Sequence, residues 1–160
     1  MNTEIDTSQL VVKIFEILES VKDPEIPVIS IRELGILQQV KIAGATVKVG
    51  IIPTYSGCPA MFAITEDIIN TLYNNGFNDV KVELLNEPVW NTEMISDSGK
   101  KAMKAYGIAP PLSFNEKIIS CPQCGSTDTT CISQFGSTAC KALYRCENCL
   151  EPFDYFKCHA

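Results

Sequence analysis

Two short motifs near the end of the chain decide its organisation: Cys-Pro-Gln-Cys at residues 121–124 and Cys-Glu-Asn-Cys at residues 146–149. Each CxxC turn places two thiolates on one side of a tight bend, and four thiolates are the usual ligands of a structural zinc ion. The chain between the turns contains β-prone stretches, as a zinc ribbon requires. The sequence therefore predicts a metal site, with an iron–sulfur cluster as the alternative occupant. Its predicted ligands are Cys121, Cys124, Cys146 and Cys149.

The cysteine distribution divides the 160-residue chain into two parts. Only one of the eight cysteines, Cys58, lies in the first 120 residues. We therefore expect an α/β domain over residues 1–113 and a zinc-ribbon-like module over residues 114–160, joined by the stiff segment at residues 109–111 (Ala-Pro-Pro). A module this short buries too little surface to fold alone, so a bound metal would supply the missing stability.

Composition and charge exclude several classes of function. The chain is 46% hydrophobic and 20% charged, as folded domains are, and its net charge is −6. A protein this acidic lacks the Lys/Arg surplus that nucleic acids or anionic membranes attract. No stretch approaches the roughly 20 apolar residues that cross a bilayer, and the N-terminus is acidic where a signal peptide is basic. We therefore expect a cytoplasmic protein without nucleic-acid or membrane partners.

Hydrophobic periodicity indicates helices alternating with strands in the first part of the chain. Thr7 or Ser8 is available as the N-cap of the first helix, and Ala43-Gly44 is typical of a hairpin turn. The order α-β-β-α-β predicts an α+β fold, in which helices pack on a small mixed sheet with one parallel strand pair. The predicted helices cover residues 8–21, 60–75 and 93–106, and the predicted strands cover residues 36–42, 46–52 and 79–85.

Cys58 lies between Gly57 and Pro59, at the predicted start of the second helix. Helix N-termini carry partial positive charge and lower the pKa of a thiol, so we expect an accessible reactive thiolate or metal ligand here. A buried, unreactive thiol is the alternative, since free cysteine is among the most buried residue types. Asp23 and Glu25 are either turn residues after the first helix or acidic partners, and their spacing does not distinguish these roles.

Three further cysteines lie outside the two CxxC turns. Cys131 has the pattern of a small buried hydrophobic residue. Cys140 precedes Lys141 in a glycine-containing loop, where the ammonium group would activate a thiolate, with a small buried hydrophobic residue as the alternative. Cys158 and His159 form a candidate ligand pair for a secondary metal site, with a mobile terminus as the alternative. As His159 is the one histidine of the chain, the first domain has no histidine-based hydrolytic site.

Three aromatic residues lie close together near the end of the chain: Phe153, Tyr155 and Phe156. Aromatic side chains are enriched in the centres of protein interfaces. From residue 114 onward the chain has four basic and five acidic residues, which provides no footprint for phosphates. We therefore expect these aromatics either to dock on a partner protein or to fill the core of the module itself.

Longer strings of the sequence resemble known families. Asp-Pro-Glu-Ile-Pro-Val at residues 23–28 and Thr-Tyr-Ser-Gly-Cys-Pro at residues 54–59 are similar to the iron–sulfur assembly and targeting domains. The strings at residues 121–126, 135–146 and 151–158 make the chain as a whole resemble the PaaD family. Members of that family are accessory subunits encoded with the bacterial phenylacetyl-CoA ring-epoxidising oxygenase. The resemblance spans nearly the whole chain, although Cys131 is outside the family's pattern.

The resemblance implies a cytoplasmic accessory subunit of phenylacetyl-CoA 1,2-epoxidase, in phenylacetate degradation, that helps to assemble metal centres. It implies the oxygenase and reductase components and iron–sulfur assembly proteins as partners, and a transient iron or iron–sulfur cluster as cargo. It places Asp23, Thr54 and Cys58 on motif positions. We expect no catalysis, because the sequence has no nucleotide loop and no di-iron Glu-x-x-His pattern. The alternatives are a structural or regulatory subunit and a general iron–sulfur carrier.

Overall fold

The computed structural model describes residues 6–113 and 115–157, and its contacts divide the chain into two compact units. The first unit is Met1–Trp90 and the second is Asn91–Ala160. Among the described residues, no helix combines the length and the apolar character needed to cross a membrane.

The first unit has the predicted order of elements, α-β-β-α-β. Its three strands form one sheet in the order β1-β2-β3, in which β1 and β2 are antiparallel and β2 and β3 are parallel. The mixed sheet and its parallel crossover are therefore confirmed. The elements are α1 (Thr7–Leu18), β1 (Leu37–Ala43), β2 (Thr46–Ile51), α2 (Ala60–Asn74) and β3 (Val80–Leu84).

The core of the first unit lies on one face of this sheet. Strand β2 alternates, so that Val47, Val49 and Ile51 are buried on the core face, and helices α1 and α2 contact the sheet. Trp90, the one tryptophan of the chain, is also buried, and its indole Nε1 donates a hydrogen bond to the carbonyl of Leu34 at 2.8 Å. Trp90 is therefore an internal reporter of the folding of this unit.

The N-cap of helix α1 lies before both of the predicted N-caps. The cap is Asp6, whose carboxylate accepts hydrogen bonds from the backbone N–H of Ser8 at 3.2 Å and from its hydroxyl at 2.6 Å. Thr7 and Ser8 both lie inside the helix, so the predicted cap is wrong. A carboxylate one residue upstream competes successfully for the free N–H groups of the first turn, and this bonding also lowers the pKa of Asp6.

The second unit contains one helix and a four-stranded sheet in the order β4-β7-β6-β5. The predicted helix over residues 93–106 is broken, because Ile95 is extended and the hydroxyl of Ser96 caps a new helix by accepting from the N–H of Gly99 at 3.1 Å. A 3₁₀ turn at Thr92–Met94 precedes it. The elements are α3 (Asp97–Tyr106), β4 (Ile108–Ala109), β5 (Thr129–Ser133), β6 (Lys141–Cys146) and β7 (Pro152–Phe156).

The segment predicted as a linker begins inside a strand. Ala109 pairs with Tyr155, so β4 lies parallel to β7 and Ala109 is buried. This pairing places α3 and β4 with the ribbon, and the contacts therefore divide the chain at residues 90–91 instead of at residue 113. That residues 114–160 fold as a separate metal-dependent module stays a prediction.

Candidate functional sites: a four-cysteine centre and the Cys58 loop

The structure brings together the four cysteines that the spacing predicts. Their sulfur atoms all lie within 4.8 Å of one another. The Sγ atoms of Cys121 and Cys149 are 3.7 Å apart, and those of Cys124 and Cys146 are 3.6 Å apart. A zinc ion with Zn–S bonds of about 2.3 Å requires an edge of about 3.8 Å between tetrahedrally placed sulfurs. A disulfide requires about 2.05 Å, so the separations fit one tetrahedral metal ion.

The chemistry of this donor set agrees with its geometry. Four thiolates suit zinc or a single iron. A cluster of several irons places thiolates on different iron atoms and so separates them further. Because two sulfur pairs lie at the edge length of one tetrahedron and all four sulfurs lie within 4.8 Å of one another, the residues present fit a mononuclear site.

The two CxxC turns have the same backbone construction. The N–H of Cys121 donates to the carbonyl of Ser126 at 2.9 Å, and the N–H of Cys146 donates to the carbonyl of Glu151 at 3.0 Å. In each turn the backbone N–H of the first cysteine thus donates a hydrogen bond to the carbonyl of the residue five positions later. The turns are supplied by different parts of the ribbon, one by a loop before β5 and the other by the end of β6. This repeat explains why the two pairs of sulfurs converge.

Burial and hydrogen bonding differ among the four ligands. Cys121 and Cys146 are fully buried, whereas Cys124 is exposed and Cys149 is half-buried. The side-chain amide of Asn148 lies 3.7 Å from the sulfur of Cys124, and the N–H of Cys149 lies 3.4 Å from the sulfur of Cys146. Donors of this kind orient and stabilise thiolate ligands. Sequence reasoning missed Asn148, although its position inside a CxxC turn is a usable signal.

The thiols influence one another strongly. The backbone N–H of Ser126 and then the amide of Asn148 lower the pKa of Cys124 to about 6. The backbone N–H of Glu151 lowers the pKa of Cys149, but burial and the neighbouring thiols outweigh it and raise that pKa to about 12. Four thiolates at this spacing repel one another, so their joint ionisation needs the positive charge of a metal ion.

The aromatic residues near the end of the chain form the core of the ribbon. Phe153 and Phe156 are buried, and Tyr155 is half-buried. The ring of Tyr144 stacks on that of Phe153 at 5.9 Å and meets that of Tyr155 edge-on at 5.7 Å. Phe153 also packs in one cluster with the ligand Cys121. The prediction that Phe153, Tyr155 and Phe156 fill the core of the ribbon is therefore confirmed, and the prediction that they dock on a partner protein is wrong.

Cys131 and Cys140 do not belong to the four-cysteine centre, which is the one group of three or more metal-ligating side chains in the described part of the chain. Cys131 is half-buried on β5, with the amide of Gln134 at 3.6 Å from its sulfur. Cys140 is only 3% exposed, and its sulfur lies 3.0 Å from the hydroxyl of Thr138. This burial argues against an accessible thiolate at Cys140. Cys158 and His159 lie outside the described residues, so the secondary site stays a prediction.

Cys58 lies in a tight loop that leads into helix α2. Gly57 adopts a left-handed backbone with φ +76°, and Pro59 is the N-cap of the helix. The N–H of Cys58 donates to the carbonyl of Tyr55 at 3.3 Å, and its carbonyl accepts from the N–H of Met61 at 3.3 Å. The thiol is half-buried. The predicted position at a helix start is therefore confirmed, and the side chain is not sealed in the core.

The electrostatics of Cys58 are opposite to the prediction. Burial raises the pKa of the thiol, and the carboxylates of Glu25 and Asp23 raise it further. The backbone N–H of Ala60 lowers the pKa, as a helix start should, but this contribution is the smaller one. The raised pKa favours the neutral thiol at pH 7 and is opposite to the lowered pKa expected at a helix start, and the role of Cys58 as a thiolate or metal ligand stays a prediction.

Asp23 has both of the roles that the sequence left open. Its Oδ1 accepts the backbone N–H groups of Glu25 at 2.8 Å and Ile26 at 2.9 Å, so it fixes the turn after α1. Its carboxylate also raises the pKa of Cys58, although this contribution is smaller than those of burial and of Glu25. Thr54 is half-buried in that loop, four residues before Cys58. That Cys58, Asp23 and Thr54 form a working site stays a prediction.

Comparison with known proteins identifies both parts of the chain. A model of the iron–sulfur cluster assembly proteins matches residues 12–84, and a model of the PaaD zinc β-ribbon domain matches residues 110–157. The chain thus joins an iron–sulfur assembly domain to a zinc ribbon. A solved structure from Bacillus anthracis, of a domain of unknown function called DUF59, shares the fold with a TM-score of 0.58 and 26% identity. It aligns over 62% of this chain and 95% of its own length.

Two relatives extend the match. A protein of Escherichia coli K12, named as a subunit of a "Putative 1,2-phenylacetyl-CoA epoxidase", is 44% identical over 91% of this chain and 92% of its own length. A protein of Porphyromonas gingivalis W83 named "Fe-S protein maturation auxiliary factor" is 36% identical over 61% of this chain and 91% of its own length. The chain belongs to the PaaD family, together with the Escherichia coli protein. The resemblance and the α+β class predicted from the sequence are confirmed.

Proposed function

We propose that this protein is an accessory maturation subunit of a cytoplasmic 1,2-phenylacetyl-CoA epoxidase, which assists assembly of iron or iron–sulfur centres and does not oxidise the ring. One observation carries the proposal: a single chain joins an iron–sulfur assembly domain to the PaaD ribbon. Its two relatives are named for the epoxidase and for iron–sulfur maturation, respectively. The proposed partners are the oxygenase and reductase components and the iron–sulfur assembly proteins.

In this proposal the ribbon holds one zinc ion through Cys121, Cys124, Cys146 and Cys149. Zinc has no redox chemistry, and when bound it supplies a cross-link between the two CxxC turns. The sulfur separations near 3.7 Å and the burial of Cys121 and Cys146 support a structural role. The ribbon would then be a rigid support and not the place where iron is handled.

Cys58 would make the transient contact with iron. A neutral thiol is a weak ligand, but an arriving cation is attracted by the nearby carboxylates of Asp23 and Glu25. The charge of that cation favours loss of the thiol proton, which creates the thiolate ligand only while the cargo is present. One thiolate leaves most positions on the cargo to other molecules. Such a site would release iron more readily than a four-cysteine centre.

The cargo can be tested by anaerobic reconstitution. The zinc-loaded protein would be incubated with Fe(II), sulfide and a thiol reductant, and its visible absorption and metal content would be measured. We expect one zinc per chain, together with brown absorption that Cys58→Ser removes and Cys131→Ser keeps. A colourless wild-type protein that holds zinc alone would favour a purely structural subunit.

A second experiment separates maturation from regulation. Purified protein would be added to epoxidase that already carries its full complement of metal, and turnover would be measured before and after the addition. Maturation predicts nearly unchanged turnover, because the centres are complete. A large rise in turnover would contradict the proposal and favour a regulatory subunit.

A further inference from the structure

Three lysines form one row across the sheet of the first unit. Lys41 on β1 lies directly opposite Lys48 on β2, and Lys48 lies directly opposite Lys81 on β3. Neighbouring strands are about 4.8 Å apart, so the lysine row places three positive charges within about 10 Å. No helical periodicity or motif in the sequence indicates this row, because it depends on the register of three strands.

The lysine row faces away from the core. Lys48 lies between Val47 and Val49, which are both buried, and successive side chains of a strand point to opposite faces. Lys41 and Lys81 are exposed. In the adjacent row Gly50 has no side chain, and an added Cβ would lie 2.5 Å from the Cγ of Gln39 and 2.8 Å from the Cδ1 of Leu85, so these two side chains lie across that position. Glu83 pairs with Gly50 and supplies one acidic side chain to the same row.

No ion pair recorded in the described part of the chain includes these three lysines. The ion pairs recorded among residues 6–113 and 115–157 join Arg32 to Glu19 and Arg145 to Glu147, and neither includes the lysine row. Like charges that lie directly opposite each other on neighbouring strands destabilise a sheet. The row therefore costs stability in the free protein, and no recorded ion pair of the described residues offsets that cost.

The lysine row also stands out against the charge of its own unit. Residues 1–90 contain twelve acidic and six basic side chains, whereas residues 91–160 contain seven of each. The whole net charge of −6 thus belongs to the first unit, and half of the basic side chains of that unit lie in the row. A concentrated positive strip on an otherwise acidic surface is typical of a site that fixes the orientation of a partner.

We propose that the lysine row of Lys41, Lys48 and Lys81 is a docking surface for a carboxylate-rich surface of a partner protein. The net negative charge of the unit repels long polyanions such as nucleic acids at a distance. A folded partner with a local acidic patch meets three ammonium groups at close range, where the row outweighs the wider repulsion. The inference rests on the proposed function only for the partner's identity, a component of the epoxidase.

The test compares two charge reversals of equal size. Lys48→Glu changes the centre of the row, and Lys13→Glu changes an exposed lysine on α1. Binding to the purified epoxidase components would be measured over a range of salt concentrations. We expect Lys48→Glu to weaken binding by about tenfold and to flatten its salt dependence, and Lys13→Glu to change binding by less than about twofold.

A second readout separates lost docking from damaged folding. Lys48→Glu replaces two like-charge pairs by two opposite-charge pairs, so the thermal midpoint followed by Trp90 fluorescence should rise by about 2–4 °C. A variant that is more stable and yet binds less tightly has lost a contact surface and not its fold. A fall in the midpoint would contradict the claim that the row destabilises the free protein.

The remaining outcomes distinguish this inference from the proposed function. Equal binding of the epoxidase by wild type and Lys48→Glu would overturn the docking surface and leave the proposed function standing. A twelve-residue peptide of alternating Glu and Thr is the second probe, with a Gln-for-Glu peptide as its control. The wild type could bind the Glu peptide through the lysine row and fail to bind the epoxidase. In that case the row is a docking surface for carboxylates, and the proposed partner is wrong. Binding of inorganic polyphosphate alone, or of no probe, would overturn the surface.

Discussion

Gly125 and Leu150 occupy equivalent positions in the two CxxC turns, and both have a left-handed backbone, with φ +76° and +65°. Each directly follows the second cysteine of its turn. The left-handed region suits glycine and costs other residues about 1–2 kcal/mol. Leu150 is largely exposed, so buried contacts do not account for its conformation. The second turn is therefore held in a strained conformation by its hydrogen bonds and its metal site.

We predict opposite effects of substitution at these two positions. Gly125→Ala should reduce the free energy of unfolding of the zinc-loaded ribbon by about 1 kcal/mol, because the added Cβ has open space and only the backbone conformation opposes it. Leu150→Gly should increase it by about 0.5 kcal/mol, since the relief of strain exceeds the greater freedom of glycine in the unfolded chain. Denaturant unfolding measures both. Equal decreases in the free energy of unfolding of the two variants would contradict the claim that Gly125 and Leu150 occupy equivalent left-handed positions.

Removal of one ligand should release the metal and unfold the ribbon. We predict that Cys146→Ser abolishes zinc binding, because the buried sulfur belongs to one tetrahedron and the ribbon lacks a sufficient core of its own. Zinc analysis and circular dichroism measure the loss, and Trp90 fluorescence should show that the first unit stays folded. Cys131→Ser is the matched control and should keep its zinc. Full zinc content in Cys146→Ser would show that the ligand assignment is wrong.

The raised pKa of Cys58 predicts how its reactivity depends on pH. The thiolate is the reactive form, and its fraction increases about tenfold with each pH unit below the pKa. Because burial and two carboxylates raise the pKa of Cys58 from its ordinary value, alkylation of the zinc-loaded protein should be slow at pH 7 and should still be accelerating at pH 9. Glu25→Gln should speed the reaction at pH 7 by removing one negative charge.

Mass spectrometry of the labelled peptide assigns the reaction to Cys58. A rate that levels off below pH 8 would show that the helix start controls this thiol after all. Labelling that occurs only in denaturant would show that the side chain is buried and unreactive.

Local patterns in the sequence predicted most of the fold. The spacing of apolar residues placed helices α1 and α2 and the three strands of the first sheet within a few residues, since periodicity depends on the face that packs. The spacing of the two CxxC turns predicted the four-cysteine centre, because the metal geometry restricts which residues converge. The predictions were wrong where neighbouring residues compete for the same role. Asp6 and not Thr7 or Ser8 caps α1, and the extended residue Ile95 breaks the predicted third helix.

Features that depend on contacts distant in sequence were also beyond the local patterns. Ala109 pairs with Tyr155, which lies 46 positions later in the sequence. The segment predicted as a proline-rich linker therefore begins in β4, the edge strand of the second sheet. Cys58 shows the same limit, since a helix start predicts a lowered pKa, whereas burial and then the carboxylate of Glu25 raise it. The lysine row required the parallel register of β2 and β3, which no single segment specifies.

The most direct test of the central claim is the iron content of epoxidase purified from cells. Cells that lack this protein would be complemented with wild type, Cys58→Ser or Cys131→Ser, and iron per oxygenase would be measured together with activity. Maturation by the first unit predicts low iron and low activity with Cys58→Ser and full values with Cys131→Ser. Full iron and full activity with Cys58→Ser would contradict the account.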